Sequence, residues 1–291
     1  MRFKMIGIDI DGTLLRSDAT LSPGTLAAVR AAQDAGVLVV PCTGRAWIES
    51  GMVLGQIAGL TWGVFVTGAV VGDVHTGEHI DISVLEPHLA REIIEHLADE
   101  EASVLVFQDR HQTGRDYLVA GRGELKGNTR WWFDLCGARW EQVREPTLEQ
   151  LHGSLRVGMV TVMPRIRACE AKVRDKFGQR VLVHSFEAMH LLNPDESIGI
   201  LEVFAAGVDK WRGLAWIARQ RGWTADEVAV IGDEINDVPM LRAAGCGIAM
   251  GNGIDAARAA ADHVTLRHDE DGVAHAIGQL LSGAWRGKAG R

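Results

Sequence analysis

Asp9 and Asp11 stand two residues apart in Asp9-Ile10-Asp11-Gly12-Thr13, directly after the apolar run Met5 to Ile8. If extended geometry persists through Ile10, both carboxylates point the same way and share one site. Far along the chain a second acidic group follows another apolar run, in Gly232-Asp233-Glu234-Ile235-Asn236-Asp237. Carboxylates that converge at contact distance repel, and one of them is normally forced to take a proton. A bound cation removes that conflict. An all-oxygen donor set points to Mg²⁺, which takes one or two carboxylates together with waters and a substrate phosphate oxygen. Asp9, Asp11, Asp233 and Asp237 are therefore the expected metal-site residues. Beside a metal a carboxylate can attack phosphorus and form an aspartyl phosphate. Asp9 is the candidate nucleophile. Asp11 is the candidate acid and base, protonating the departing alcohol and then taking a proton from the hydrolytic water. The charge left on the equatorial oxygens calls for fixed donors and a cation. Thr43, the amides around Gly44, Lys210 and Asn236 are the candidates, with Arg45 beside them in Thr43-Gly44-Arg45.

These residues can meet only if the chain delivers them to one edge. Short β-branched runs at Met5 to Ile8, Val37 to Val40, Val64 to Val66, Val228 to Ile231 and Gly247 to Met250 read as buried strands. Helical patterns separate several of them. The first has Ser22 as N-cap and Pro23 in its first turn and runs through Leu26 and Val29 to Gly36. Near the C-terminus, Thr224 and Glu227 have capping-box spacing, Pro239 fits the first turn of a helix with Met240 and Leu241, and Gly245 fits its stop. Strand, helix, strand predicts a parallel α/β sheet, in which ligands bind beyond the carboxyl ends of the strands. The acidic motifs fall there, as do Thr43-Gly44-Arg45 and Thr67-Gly68.

The middle of the chain has another rhythm: a helix from Glu86 to Leu97, strands at Val104 to Gln108 and Tyr117 to Ala120, an aromatic helical stretch, then strands near Val157 to Met163 and Arg180 to His184. The expectation is a doubly wound parallel-sheet core formed by residues 1–84 and 188–291, carrying an inserted α+β domain at 85–187. No fixed-period repeat is present, and the basic tail Arg286 to Arg291 reads as a frayed end.

Composition narrows the function class. The chain has 291 residues, 47% hydrophobic and 23% charged, an ordinary globular balance. A net charge of −8 without long Lys or Arg runs argues against nucleic acid or anionic membrane as partner. The four cysteines, Cys42, Cys136, Cys169 and Cys246, fit neither a metal spacing nor a disulfide framework. No signal peptide or membrane span is read, so the expected compartment is the cytoplasm. The 11 histidines are scattered along the chain, and surface or satisfied core positions are expected for them rather than metal ligation. Arg130, Trp131 and Trp132 read first as core packing with a snorkelled arginine and second as part of a specificity surface in the inserted domain.

Taken together the motifs resemble the haloacid dehalogenase superfamily, in its Cof-type, sugar-phosphatase-like branch with a large cap inserted after the third core strand. The resemblance rests on Asp9-Ile10-Asp11-Gly12-Thr13-Leu14-Leu15, Thr43-Gly44-Arg45, Gly207-Val208-Asp209-Lys210 and the segment from Gly232 to Leu241, with Gly247 to Asn252 and Asp269 to Ala274 closing the core. It implies Asp9 as nucleophile, Asp11 as acid and base, Thr43 and Lys210 as phosphate binders and Asp233 as a magnesium ligand. Asp237 would support the metal through water or from behind the ligands. The expected activity is hydrolysis of the phosphate monoester of a small metabolite, a sugar phosphate or similar. A phosphomutase, a carbon-halogen hydrolase, a receiver-type phospho-acceptor and a non-catalytic binding scaffold are the alternatives. The chain departs from the family in having Thr67-Gly68-Ala69 where Asn-Gly-Ala is common, and Trp211 where glycine commonly follows the lysine. Trp211 is expected to narrow the entrance beside Lys210. The stretch His190 to Gly199 is longer than expected ahead of the third motif. Oligomeric state is not legible.

Overall fold

The computed structural model describes residues 2–98, 103–123, 125, 127–189 and 197–287. The chain forms two compact units, one made of Met1–Asp81 with Asp209–Arg291 and the other of Ile82–Val208. Five strands open the chain: β1 (Met5–Asp9), β2 (Leu38–Cys42), β3 (Trp62–Phe65), β4 (Val70–Asp73) and β5 (His79–Ile82). Six more belong to the second unit: β6 (Val104–Gln108), β7 (Tyr117–Ala120), β8 (Trp140–Val143), β9 (Ser154–Val162), β10 (Val181–Met189) and β11 (Ile198–Ala205). The last three are β12 (Val228–Gly232), β13 (Cys246–Ala249) and β14 (His263–Val264).

The first sheet has the order β14-β13-β12-β1-β2-β3-β4-β5. From β14 to β3 neighbouring strands are parallel, whereas β4 returns antiparallel to β3. All five residues of β1 and of β12 are buried, as expected for strands covered on both faces. The helices between them form where their caps predict. Ser22 Oγ accepts from the Thr25 amide at 2.9 Å and opens the helix Pro23–Asp34. Asp209 accepts from the Arg212 amide at 2.8 Å and opens Lys210–Gln220, whose Leu214, Ile217 and Ala218 join Val40, Val64 and Val230 in one apolar cluster. Thr224 and Glu227 do form a capping box, but on a single 3₁₀ turn.

Two expectations are corrected here. The third strand ends at Phe65, because Val66 and Thr67 take left-handed backbone angles, φ 51° and 56°, that no strand tolerates. The reversal they begin adds β4 and β5 at the sheet edge, a pair hidden in the sequence by the near-continuous apolar run Val64 to Val71. The second unit also extends beyond residue 187. Its sheet has the order β10-β11-β9-β6-β7-β8, so β11 lies between β10 and β9 and pairs antiparallel with both. The chain therefore leaves this unit at Val208 rather than at 187. One face of the second sheet packs Val106, Leu118, Val157 and Val203 against Ile93, Ile94, Ile166 and Phe177 of the helices Pro87–Leu97 and Met163–Phe177. Residues 190–196 of the long stretch before the third motif, and the last four of the basic tail, lie outside the described residues. Among the described residues no helix is long and apolar enough to cross a membrane.

Candidate active site

In the first sheet β1 sits between β2 and β12, and the chain winds outward from it in both directions. That is the switch point whose carboxyl ends open into a crevice. Asp9 is the last residue of β1 and is only 4% exposed. The first turn of Lys210–Gln220 brings the Lys210 ammonium to it, and this side chain is fully enclosed. Lys210 Nζ donates to Asp9 Oδ1 at 2.6 Å, to Asp237 Oδ1 at 2.6 Å and to Asn236 Oδ1 at 3.3 Å.

One ammonium between two buried carboxylates leaves a surplus of negative charge. Burial pulls the Lys210 ammonium down, but Asp237 and Asp9 outweigh it and hold the lysine protonated well above its ordinary range. Burial drives Asp9 the other way: desolvation raises its carboxyl well above the usual carboxylate range, Lys210 opposes this, and Asp237 and Asp233 add to it. Cys42, paired with Asp9 across the β1–β2 register, is no rival nucleophile, because burial pushes its thiol far up.

Asp233 follows β12 directly. Thr13 Oγ1 donates to its Oδ1 at 3.0 Å, and Asn252 Nδ2 lies 3.5 Å from its Oδ2 while donating to the Gly12 carbonyl at 2.8 Å. Burial, with Asp237 next, pushes the Asp233 carboxyl up to about 6. Gly12 permits this approach: its φ is 74°, and a Cβ there would stand 2.3 Å from Asp233 Oδ2. Asp9, Asp233 and Asp237 each present an oxygen within 4.8 Å of the others, the grouping a hard cation would need.

The four expected metal residues do not contribute alike. Asp237 belongs to the cluster by distance, yet its Oδ1 holds Lys210 and its Oδ2 accepts from the amides of Asp233 at 2.8 Å and Glu234 at 3.0 Å. It fixes the loop and the lysine. The Asp11 carboxylate stands outside the cluster, since the chain turns after β1, and its partner is Arg45, whose Nε donates at 2.8 Å and whose Nη2 donates to the other oxygen. Arg45, expected on the phosphate side, is thus tied to the expected acid. Two residues of the site, Thr13 and Asn252, are absent from the sequence-based candidates. Thr13 closes the Asp-x-Asp-Gly-Thr motif and is readable there, whereas Asn252 meets Gly12 across 240 positions and gives no local signal.

The remaining candidates converge beside Asp9. Thr43 is wholly buried after β2 and its Oγ1 accepts from the Arg45 amide at 3.0 Å, leaving the hydroxyl proton to donate. Gly44 faces Thr67 and Asn236: a Cβ on it would lie 3.5 Å from Thr67 Oγ1 and 3.8 Å from Asn236 Nδ2. Gly68 is needed because a Cβ there would overlap the Asp209 carbonyl at 1.8 Å, displacing the start of the lysine's helix. Trp211 lies against the core. Successive helix positions diverge by about 100°, and its ring packs against the core cluster of Leu214 and Val228.

A family model described as haloacid dehalogenase-like hydrolase matches residues 6–277. The chain is similar to the 5-amino-6-(5-phospho-D-ribitylamino)uracil phosphatase YitU of Bacillus subtilis (strain 168), 27% identical over 278 residues that cover 96% of this chain and 97% of the relative. It is similar also to the pyridoxal phosphate phosphatase YbhA of Escherichia coli (strain K12), 25% identical over 284 residues covering 95% and 98% of the two chains. Among solved structures, a haloacid dehalogenase-like hydrolase from Bacteroides thetaiotaomicron shares the fold with a TM-score of 0.72 at 23% identity, over 96% of this chain and 99% of that one.

Proposed function

The chain belongs to the haloacid dehalogenase-like hydrolase family, and on that premise we propose that it is a Mg²⁺-dependent phosphatase hydrolysing the phosphate monoester of a small metabolite, a sugar phosphate or similar, through a phosphorylated Asp9. The observation that carries this reading is the Asp9 carboxylate: buried at the end of β1, 2.6 Å from a buried ammonium and grouped with Asp233. A carboxylate so placed is fixed in direction, which an in-line attack on phosphorus requires. The relatives named for a phosphoribityl compound and for pyridoxal phosphate support a small phosphorylated metabolite as substrate.

In this reaction Asp9 donates an electron pair to phosphorus while the ester oxygen departs. Lys210, the Thr43 hydroxyl and the Asn236 amide stabilise the phosphoryl oxygens, as fixed donors must where charge develops. Asp11 supplies the proton to the leaving alcohol and then receives one from the water that cleaves the aspartyl phosphate. To do so it exchanges its contact with Arg45 for one with substrate. Asp237 holds Lys210 and the Asp233 loop in place. The residues fit a divalent cation: hard oxygen donors of Asp9 and Asp233 would hold Mg²⁺, which when bound neutralises the carboxylate and phosphoryl charges.

The test is phosphate release from a panel of phosphorylated sugars and polyols, pyridoxal phosphate and an aryl phosphate, with Mg²⁺ or with chelator, for the wild type and Asp9→Asn. Mg²⁺-dependent release that disappears in Asp9→Asn is the expected result. Equal release by Asp9→Asn, or release indifferent to chelator, overturns the reading.

A further inference from the structure

We propose that Thr67 is a further phosphate-binding residue, its hydroxyl donating to a phosphoryl oxygen held above Gly44; the assignment rests on the phosphatase reading and extends it. Thr67 follows β3 and is 1% exposed. Among the described residues its Oγ1 is a buried polar atom without a hydrogen-bond partner. Buried hydroxyls are nearly always bonded, so an orphan one calls for a group that arrives from outside the chain. Its direction is fixed by Gly44: the point where a Cβ would stand on that residue has Thr67 Oγ1 at 3.5 Å and Asn236 Nδ2 at 3.8 Å. Asn236 turns its Oδ1 to Lys210, so its Nδ2 donors are left toward the same space. Two side-chain donors thus flank the loop that also carries Thr43, and a tetrahedral anion is the ligand chemistry they suit.

The backbone supports the same assignment. Thr67 has φ 56° and Val66 before it φ 51°, a conformation that β-branched residues rarely adopt. It is clamped there by its amide donating to the Thr43 carbonyl at 3.0 Å and by the Val66 amide donating to the Arg45 carbonyl at 2.9 Å. Strain of this kind persists where surrounding contacts enforce it, and here those contacts come from the Thr43-Gly44-Arg45 loop itself. The turn therefore aims the hydroxyl relative to the loop with little freedom to swing away.

The experiment compares wild type with Thr67→Val, which removes the hydroxyl and keeps the branched shape, and with Thr67→Ser, which keeps it. Readouts are the KM for an aryl phosphate, the inhibition constant of inorganic phosphate and the melting temperature. Loss of one hydrogen bond to a charged oxygen corresponds to a rise of about 10- to 100-fold in both constants for Thr67→Val, and Thr67→Ser should recover most of it. Melting temperatures should stay within a few degrees. Should Thr67→Val not fold, Thr67→Ala against Thr67→Ser makes the same comparison. Unchanged phosphate inhibition and KM in a folded variant lacking the hydroxyl would remove Thr67 from the site and leave the phosphatase reading standing. If wild type neither hydrolyses phosphate esters nor binds inorganic phosphate, that reading fails and this assignment fails with it.

Discussion

Replacing Asp233 by asparagine should make the metal-free protein more stable near neutral pH, although the residue lies at the centre of the proposed metal site. The ordinary carboxyl value is 3.8, and burial with Asp237 nearby pushes Asp233 up to about 6 in the folded chain. Below about pH 4 folded and unfolded chains both hold the proton and no difference arises. As pH rises from about 4 to about 6 the unfolded chain releases it first, so stability falls. Above about 6 the full cost remains, roughly 3 kcal/mol for a shift of about two units. The Asp233→Asn side chain carries no charge, but its amide would meet that of Asn252, and the Thr13 hydroxyl would lose an anionic acceptor; together these take back on the order of 1 kcal/mol. A net gain of about 1 to 2 kcal/mol remains, a few degrees in melting temperature. The assay is thermal or denaturant unfolding from about pH 4 to neutrality in chelator, repeated with Mg²⁺. The gain should vanish toward about pH 4. With Mg²⁺ the order should invert, because wild type gains about 2.7 kcal/mol at a hundredfold excess over the dissociation constant and the variant gains less. A variant less stable than wild type at neutral pH in chelator, or a difference independent of pH, would refute the electrostatic account of the cluster.

Three further outcomes are expected. Asp9→Asn should lower turnover by at least about 10³-fold, with loss of the acid-quenched phosphoenzyme seen by mass spectrometry, and with native circular dichroism. Lys210→Met strands the Asp9 and Asp237 carboxylates in the core, so denaturant unfolding should show a loss of about 3 to 5 kcal/mol at neutral pH that shrinks on acidification as Asp9 takes a proton. Gly12→Ala adds a Cβ 2.3 Å from Asp233 Oδ2 at a φ of 74°, so the Mg²⁺ concentration for half-maximal activity should rise by about tenfold or more.

The parts of this site that the sequence makes legible are those set by local chemistry. Ser22 with Pro23, the apolar β1 and β12, and the aspartates that end them each follow from a few neighbouring residues. Lys210 can be placed only through motif order, since nothing near it in sequence shows that its ammonium will reach Asp9 across 201 positions. Pairings made after folding differ in kind from what the motifs suggest. Asp11 and Arg45 have separate expected roles, and only the loop after β2 brings them together; Asp237 stays grouped with Asp9 and Asp233, but that the amides of its own loop take one of its oxygens is not readable from the motif. The β3 to β4 reversal is illegible because its signal is two β-branched residues in a conformation their side chains disfavour, and only the contacts with Thr43 and Arg45 impose it.

Two aspartates separated by a single residue end up with opposite freedoms, and the proposed reaction needs that difference. A nucleophile must hold one direction of approach, and Asp9 is closed in at a strand end and tied to Lys210. An acid that later becomes a base has to reach first the leaving oxygen and then a water. Asp11 lies past the end of β1, its side chain is 52% exposed, and a guanidinium rather than the core holds it. Ion pairs at the surface typically contribute about 1 kcal/mol or less, a two-point arginine–carboxylate pair such as this one standing at the upper end, so substrate displaces Arg45 at a cost far below that of opening a buried pair. The Lys210 contact with Asp9 is buried and has no such exit. Moving the two carboxylates by one position, so that the mobile one followed the strand directly, would therefore lose attack geometry before it lost charge.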